Sequence, residues 1–203
     1  MQTSDGRLIV IGGASRSGKT AWTRREVAKD ARVLAWDPED QWSHERGFHR
    51  ITTRAALLAA AKRPGPGRFA FVAGGDLKAE FNFWAGCVMY AGRYVEPLSA
   101  IAEELADVTS QAKAPGNWGI LLRRGLKRGI NIYAISQRWA EADKTAMGNA
   151  SEFLIFRQAT GDDARYMARK TRVQEEEINS LKPLDFIRYD SGSAETLRSS
   201  LKF

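Results

Sequence analysis

Residues 7–20 read Arg7-Leu8-Ile9-Val10-Ile11-Gly12-Gly13-Ala14-Ser15-Arg16-Ser17-Gly18-Lys19-Thr20. The first six form an apolar run of the kind found in buried strands, and residues 13–20 match G-x-x-x-x-G-K-[ST] in full. Helix formers dominate Ala21 to Asp30. Strand, glycine-rich turn and helix therefore follow in the order a phosphate-binding loop needs. Gly13 and Gly18 let the backbone curve round a phosphate with no Cβ in the way. The amides of Gly13, Ala14, Ser15, Arg16, Ser17 and Gly18, with those of the new helix, point into the curve, where the helix N-terminus adds positive potential. Lys19 can reach the β- and γ-phosphates, and Thr20 offers a hydroxyl to Mg²⁺. A glycine-rich turn with no ligand is the plainer alternative. The completeness of the motif in its strand–helix context argues instead for a nucleoside triphosphate site.

The totals narrow the class. At 203 residues the chain suits one α/β domain, 1–203, with enough length for a sound core. Its one cysteine, Cys87, excludes an internal disulfide and sits in Phe81-Asn82-Phe83-Trp84-Ala85-Gly86-Cys87-Val88-Met89-Tyr90, a helical apolar stretch that reads as core. No apolar run approaches the roughly 20 residues of a membrane span. Met1 to Gly6 lacks the basic-then-apolar pattern of a signal peptide. The net charge of +7 suits a polyanionic partner. Val108 to Ala140 holds neither Asp nor Glu but carries Lys113, Arg123, Arg124, Lys127, Arg128 and Arg138.

Beyond the first helix, apolar runs alternate with helical patterns, which predicts a mostly parallel central sheet flanked by helices on both faces. Strands are expected at Ala31–Trp36, Arg68–Val72, Leu98–Ala102, Ile130–Ile135 and Phe153–Arg157. Helices are expected at Thr53–Lys62, Lys78–Ala91, Trp118–Arg128, Asp162–Lys170 and Val173–Leu181. Asp185–Tyr189 and Glu195–Ser199 are read as a closing C-terminal hairpin. Pro64 to Gly67 is a loop within a domain rather than a linker.

A nucleotide hydrolase needs a carboxylate near Mg²⁺ and a group that positions the attacking water. Such groups sit at the C-terminal end of a strand beside the phosphate-loop strand, where Glu103 and Glu104 follow Leu98–Ala102. Glu103 is assigned to the metal shell, through water, and Glu104 to polarising the attacking water; a solvated acidic helix start is the alternative. Gln137, directly after the fifth strand, can hydrogen-bond a γ-phosphate or water, or be a polar strand-end residue. Arg123, Arg124, Lys127 and Arg128 fall at i, i+1, i+4 and i+5, one face of a helix whose other side carries Leu121, Leu122 and Leu126. That face is either merely solvated, a contact for phosphate backbones, or the source of an arginine finger for a neighbouring subunit. Trp36, Trp42, Trp118 and Trp139 could stack on a base, though core or interface packing is the simpler expectation. No Asn-Lys-x-Asp guanine motif is present.

Taken in order, the phosphate loop, the strand with Glu103-Glu104, the basic stretch Lys127-Arg128-Gly129-Ile130, the strand ending Ile135-Ser136-Gln137-Arg138, Asn149 and Asp162-Asp163 resemble the FtsK–HerA superfamily of DNA-pumping ATPases, a RecA-like P-loop NTPase fold. The resemblance spans about residues 7 to 165, and the small size is similar to the genome-packaging ATPases of tailless icosahedral viruses with an internal membrane. It implies a Walker A at Gly13–Thr20, a Walker B acidic pair at Glu103 and Glu104, and a sensor at Gln137. It also implies ATP and Mg²⁺ as cofactors, double-stranded DNA as cargo, a ring that is usually a hexamer, and capsid or packaging-vertex partners. The place of action implied is the host cytoplasm and the virion's packaging vertex. Two departures stand out: the first acid is Glu103 where the family usually has Asp, and Leu126 occupies a position that is often basic. Arg128 is then the candidate trans finger, with Arg123, Arg124 and Arg157 as alternatives. Lys78, in Gly74–Lys78, and Lys113, in Thr109–Asn117, are candidate DNA contacts alongside Arg123, Arg124 and Lys127. A small-molecule kinase, which shares the loop, and a filamentous-phage-type assembly ATPase, which usually carries a membrane span, are the competing functions.

Overall fold

The computed structural model describes residues 5–93 and 98–202, so most of the N-terminal stretch read for a signal lies outside the described residues. Strands and helices follow as β1 (Leu8–Gly12), α1 (Lys19–Glu26), β2 (Arg32–Trp36), β3 (Phe48–Ile51), α2 (Arg54–Lys62), β4 (Gly67–Phe71), α3 (Leu77–Ala91), β5 (Leu98–Ala102), α4 (Leu105–Val108), α5 (Gly116–Arg124), β6 (Ile130–Ser136), α6 (Lys144–Asn149), β7 (Glu152–Phe156), α7 (Gly161–Lys170), α8 (Glu175–Asn179), β8 (Asp185–Asp190) and β9 (Thr196–Ser200). Among the described residues nine strands form one sheet in the order β3-β4-β2-β5-β6-β1-β7-β8-β9. The first seven positions are parallel; β8 and β9 close it as an antiparallel hairpin. The α/β class, the mostly parallel sheet and the C-terminal hairpin match the sequence expectation.

The continuous apolar runs of the central strands are what a sheet covered on both faces demands. Leu8 and Val10 point to one face, where α2, α3, α4, α5, α6, α7 and α8 pack. Ile9 and Ile11 point to the other, covered by α1 and by Trp42, Leu184 and Leu201. Coverage is thus uneven, seven helices against one. The thicker side is built on aromatic contacts: Phe81 lies 5.3 Å from Trp36, 5.4 Å from Trp84 and 5.2 Å from Trp118, ring centre to ring centre. Cys87 is buried there, its thiol pushed up to about 11 by burial, as its core assignment requires.

Three expectations need correction. The strand β3 has no counterpart among those read from the sequence; Phe48-His49-Arg50-Ile51 is an edge strand paired only to β4, and its half-exposed, polar-centred pattern carries no apolar run. The predicted helix Trp118–Arg128 stops at Arg124, because Gly125 breaks it into a 3₁₀ turn, Leu126–Arg128. β5 does not neighbour β1; β6 lies between them.

Arg32 fixes one end of this layout. It is buried in β2, and its guanidinium donates to the carbonyls of Ala60, Ala61, Arg63 and Gly65 at 2.6–3.2 Å, closing the C-terminus of α2. Burial works against this charge, yet the helix carbonyls would otherwise be orphaned. Arg32→Ala is expected to cost roughly 3 kcal/mol of stability, read as a lower denaturant midpoint, and Arg32→Met is expected to recover only the packing part of that loss.

Candidate nucleotide site

The parallel strands carry their C-terminal ends to one edge, and the phosphate loop sits there between β1 and α1. The loop is packed so tightly that its glycines are required. A Cβ on Gly13 would lie 2.6 Å from Cβ of Phe156 and 2.8 Å from Oγ of Ser17. Gly18 is left-handed at φ 118, and Arg16 shares that region at φ 57. Ala14 N–H donates to the Arg157 carbonyl at 2.8 Å, and Leu184 N–H donates to the Ser17 carbonyl at 3.0 Å. The loop is therefore pinned to the end of β7 on one side and to the base of the C-terminal hairpin on the other. Lys19 folds back over it, Nζ donating to the carbonyls of Gly13 at 2.8 Å and Ala14 at 2.9 Å. Burial lowers its pKa, opposed by Glu104, Glu103 and Glu39.

Facing the loop is a cavity of about 350 Å³ lined by Lys19, Thr20, Glu103, Glu104 and Gln137. The residues marked from the sequence on three separate strands therefore converge. Although β6 separates β5 from β1, the two acids leave the end of β5 and still reach the cavity. Glu104, in a left-handed conformation at φ 46, accepts a 2.7 Å hydrogen bond at Oε1 from Gln137 Nε2. Burial raises its pKa, with Gln137 and Lys19 opposing. Glu103 is 8% exposed and accepts a 3.0 Å bond at Oε1 from Trp42 Nε1. Burial lifts it to about 7, against the Trp42 hydrogen bond and with Glu104 adding to the rise.

Asp37, Glu39 and Gln41 also line the cavity, and the sequence reading did not mark them. Asp37 directly follows the strand expected at Ala31–Trp36. The available signal was an acid at the C-terminal end of a central strand. Asp37 shapes the segment that follows, its carboxylate accepting from Gln41 N at 2.8 Å and Ser43 N at 3.0 Å. Trp42 was named only for stacking or packing. Trp36, Trp42, Trp118 and Trp139 are all buried, at 1% exposure or less, so none offers a ring face to a base.

Among the described residues no group of three or more His, Cys, Asp or Glu could hold a metal by itself. Mg²⁺ in phosphate sites is bound by one or two protein oxygens together with phosphates and water. Thr20 and Glu103 on one cavity fit that donor set.

The basic candidates divide between two ends of the molecule. Lys78, exposed at the start of α3, and Lys113, exposed before α5, belong to the edge that carries the phosphate loop. Arg123, Arg124 and Lys127 are exposed at the opposite edge, where α5 turns into β6. The break at Gly125 means that they do not share one continuous helical face. Arg128 lies at that far edge too, with Nη1 donating to the Met89 carbonyl at 3.1 Å, remote from its own chain's cavity. Arg157, by contrast, follows β7 directly beside the phosphate loop, and its Nε is buried with no hydrogen-bond partner among the described residues. No helix among the described residues is long and apolar enough to cross a membrane.

Solved structures share this architecture. The genome packaging NTPase B204 of Sulfolobus turreted icosahedral virus 2, in complex with AMPPCP, matches with a TM-score of 0.80 and 13% identity over 97% of this chain and 98% of that one. B204, the DNA-packaging ATPase of Sulfolobus turreted icosahedral virus, matches with a TM-score of 0.76 and 15% identity over the whole of both chains. The bacterial conjugative coupling protein TrwBdeltaN70 matches with a TM-score of 0.67 and 11% identity over 98% of this chain and 85% of that one. No family model matches. The fold is that of a P-loop NTPase. In sequence the chain is 30% identical over 204 residues to Protein P9 of Pseudoalteromonas phage PM2, covering 96% of this chain and 90% of that protein, and it belongs to that protein's family.

Glu103 makes the site's electrostatics measurable. Its folded pKa of about 7 lies above the ordinary 4.5, so the folded state binds the proton more tightly. Its contribution to stability is complete below about pH 4.5 and is lost as the pH rises through about 7, a change of about 3 kcal/mol. In metal-free buffer without nucleotide, urea midpoints are expected to fall across that window. Glu103→Gln is expected to flatten the fall.

Proposed function

We propose that this chain is an ATP-driven translocase of double-stranded DNA that packages a viral genome into a preformed capsid. The observation that carries the reading is the convergence of Lys19, Glu104 and Gln137 on one cavity, in a fold shared end to end with packaging ATPases. In this reading residues 1–203 act as one ATPase domain, assembled into a ring, a hexamer on the family resemblance. It works in the infected host's cytoplasm and at the packaging vertex, against capsid or vertex proteins.

The loop amides that are not already bonded within the chain, as Ala14's is to the Arg157 carbonyl and Ser17's to the Ala14 carbonyl, bind and orient the phosphates together with the Lys19 ammonium. Thr20, through its hydroxyl, and Glu103, through water, would hold Mg²⁺, which would neutralise charge on the phosphate oxygens. Glu104 orients and polarises the attacking water. The Gln137–Glu104 hydrogen bond joins the amide that would read the γ-phosphate to the carboxylate that would hold the water. A phosphate that draws Gln137 away frees Glu104, which ties hydrolysis to occupancy. The finger acting on this cavity comes from a neighbouring subunit, Arg128 being the candidate.

Steady-state ATP hydrolysis with and without double-stranded DNA tests the reading. Turnover is expected to rise several-fold with DNA and to fall at least a hundredfold in Glu104→Gln, with nucleotide binding kept. Hydrolysis indifferent to DNA, or phosphate transfer to a nucleoside, would turn the assignment toward a kinase.

The two basic edges make separate predictions. DNA contact through phosphates weakens steeply with salt, losing about 0.9 from the log–log slope per contact removed. Neutralising Lys78 and Lys113 tests the edge beside the phosphate loop, and neutralising Arg123, Arg124 and Lys127 tests the far edge. Each set is expected to lower the slope and the DNA-stimulated rate while basal turnover is kept. A set that changes neither does not touch DNA.

A further inference from the structure

The segment between β2 and β3 reaches the nucleotide cavity through a residue that no recognised motif contains. Trp42 is fully buried, and its indole N–H donates to Oε1 of Glu103 at 3.0 Å. We propose that Trp42 is a positioning residue for the nucleotide site, fixing the orientation of the Glu103 carboxylate at the cavity wall through this bond. The inference rests on the assignment of Glu103 to the Mg²⁺ shell.

The indole is held where a mobile side chain would not serve. Its ring lies 5.5 Å from that of Phe48 in the edge strand β3, and Arg68 sits over the other ring of that pair at 4.8 Å. The segment leading to it is fixed at both ends. Asp37 accepts from the amides of Gln41 and Ser43, and Asp40 accepts three hydrogen bonds from Arg50 of β3 at 2.8–3.0 Å. The same segment turns Glu39 and Gln41 toward the cavity, joined by a 2.7 Å bond from Gln41 Nε2 to Glu39 Oε2.

Packing alone does not require the bond. Trp36 and Trp84 are equally buried, and their indole nitrogens have no partner among the described residues. A phenyl ring could fill space at position 42, but it could not donate to a carboxylate. Glu103 Oε2 has no protein donor among the described residues, so Trp42 takes one oxygen and leaves the other to the cavity. Groups that orient a metal-shell ligand in this way typically change metal affinity or activity by 10–100-fold, on the order seen for outer-shell partners generally.

The test replaces the donor and keeps the ring. Trp42→Phe is one variant; 3-benzothienylalanine inserted at position 42, an isostere without the N–H, is a second that keeps the volume if Phe destabilises the fold. Binding of a fluorescent ATP analogue is titrated in EDTA and across Mg²⁺ concentrations, with kcat and KM measured alongside. Both variants are expected to bind the analogue in EDTA within about twofold of the parent. Both should need roughly tenfold more Mg²⁺ for half-maximal tightening, with kcat lowered more than KM is raised. In a Glu103→Gln background, removing the indole N–H should change the Mg²⁺ requirement no further. An unchanged Mg²⁺ requirement in both Trp42 variants, while Glu103→Gln alters it, would reduce Trp42 to packing. An unaltered requirement in Glu103→Gln itself would overturn the metal role of Glu103, and the positioning role with it.

Discussion

The closeness of the phosphate loop to its surroundings is the constraint on which the nucleotide end of the molecule depends. Gly13 and Gly18 have no room for a side chain, with Phe156 behind Gly13 and Phe156, Leu184 and Leu201 against Gly18. This packing fixes the course of the loop backbone between β1 and α1. Two of its neighbours hold it by backbone hydrogen bonds, from Ala14 to Arg157 and from Leu184 to Ser17. Leu184 itself adopts φ 72, a conformation costly for a branched residue, and the hairpin geometry that delivers its amide to the loop is what holds it there. The strain is small beside the value of a preformed anion cradle, since a site already shaped spends less of its binding energy on ordering.

Around that cradle charge is arranged by opposition. Lys19 faces Glu103, Glu104 and Glu39, and the two acids at the end of β5 are partly or wholly withdrawn from water. Each has a neutral donor, an indole for Glu103 and an amide for Glu104. A neutral donor stabilises a carboxylate without cancelling its charge, so both groups stay available to a cation or a water that arrives with the nucleotide. A guanidinium in either place would have satisfied the acid and removed it from the chemistry.

Most of the site was legible because phosphate binding is local in sequence. A contiguous motif fixes Gly13 to Thr20, and the acids and Gln137 declare themselves by standing at the ends of apolar runs. The order of the strands was not legible: nothing in Leu98–Ala102 or Ile130–Ile135 says that β6 inserts between β5 and β1. The edge strand β3 was missed because one-sided exposure and a polar centre, His49-Arg50, erase the apolar run by which strands are recognised. With β3 went its consequence, since Trp42 packs on Phe48 and its segment is tied to Arg50 as well as to Asp37. The helix Trp118–Arg128 was overextended because leucine spacing continues past Gly125, while the glycine and the turn into β6 end the helix there. Long-range contacts between polar groups, such as Trp42 with Glu103, leave no periodic trace.

The bracing of the phosphate loop by Leu184 and Leu201 has a consequence for how the molecule is made. The motif lies near the start of the sequence, yet the residues that back it are near the end. On the ribosome, β1 and its loop emerge long before the hairpin that completes their surroundings. The cradle therefore closes only once the hairpin has emerged, as a contact of long loop closure. A nascent chain stalled before residue 184 holds the whole phosphate motif without its backing. The hairpin thus ties the ordering of the loop's surroundings to the folding of a distant part of the sequence.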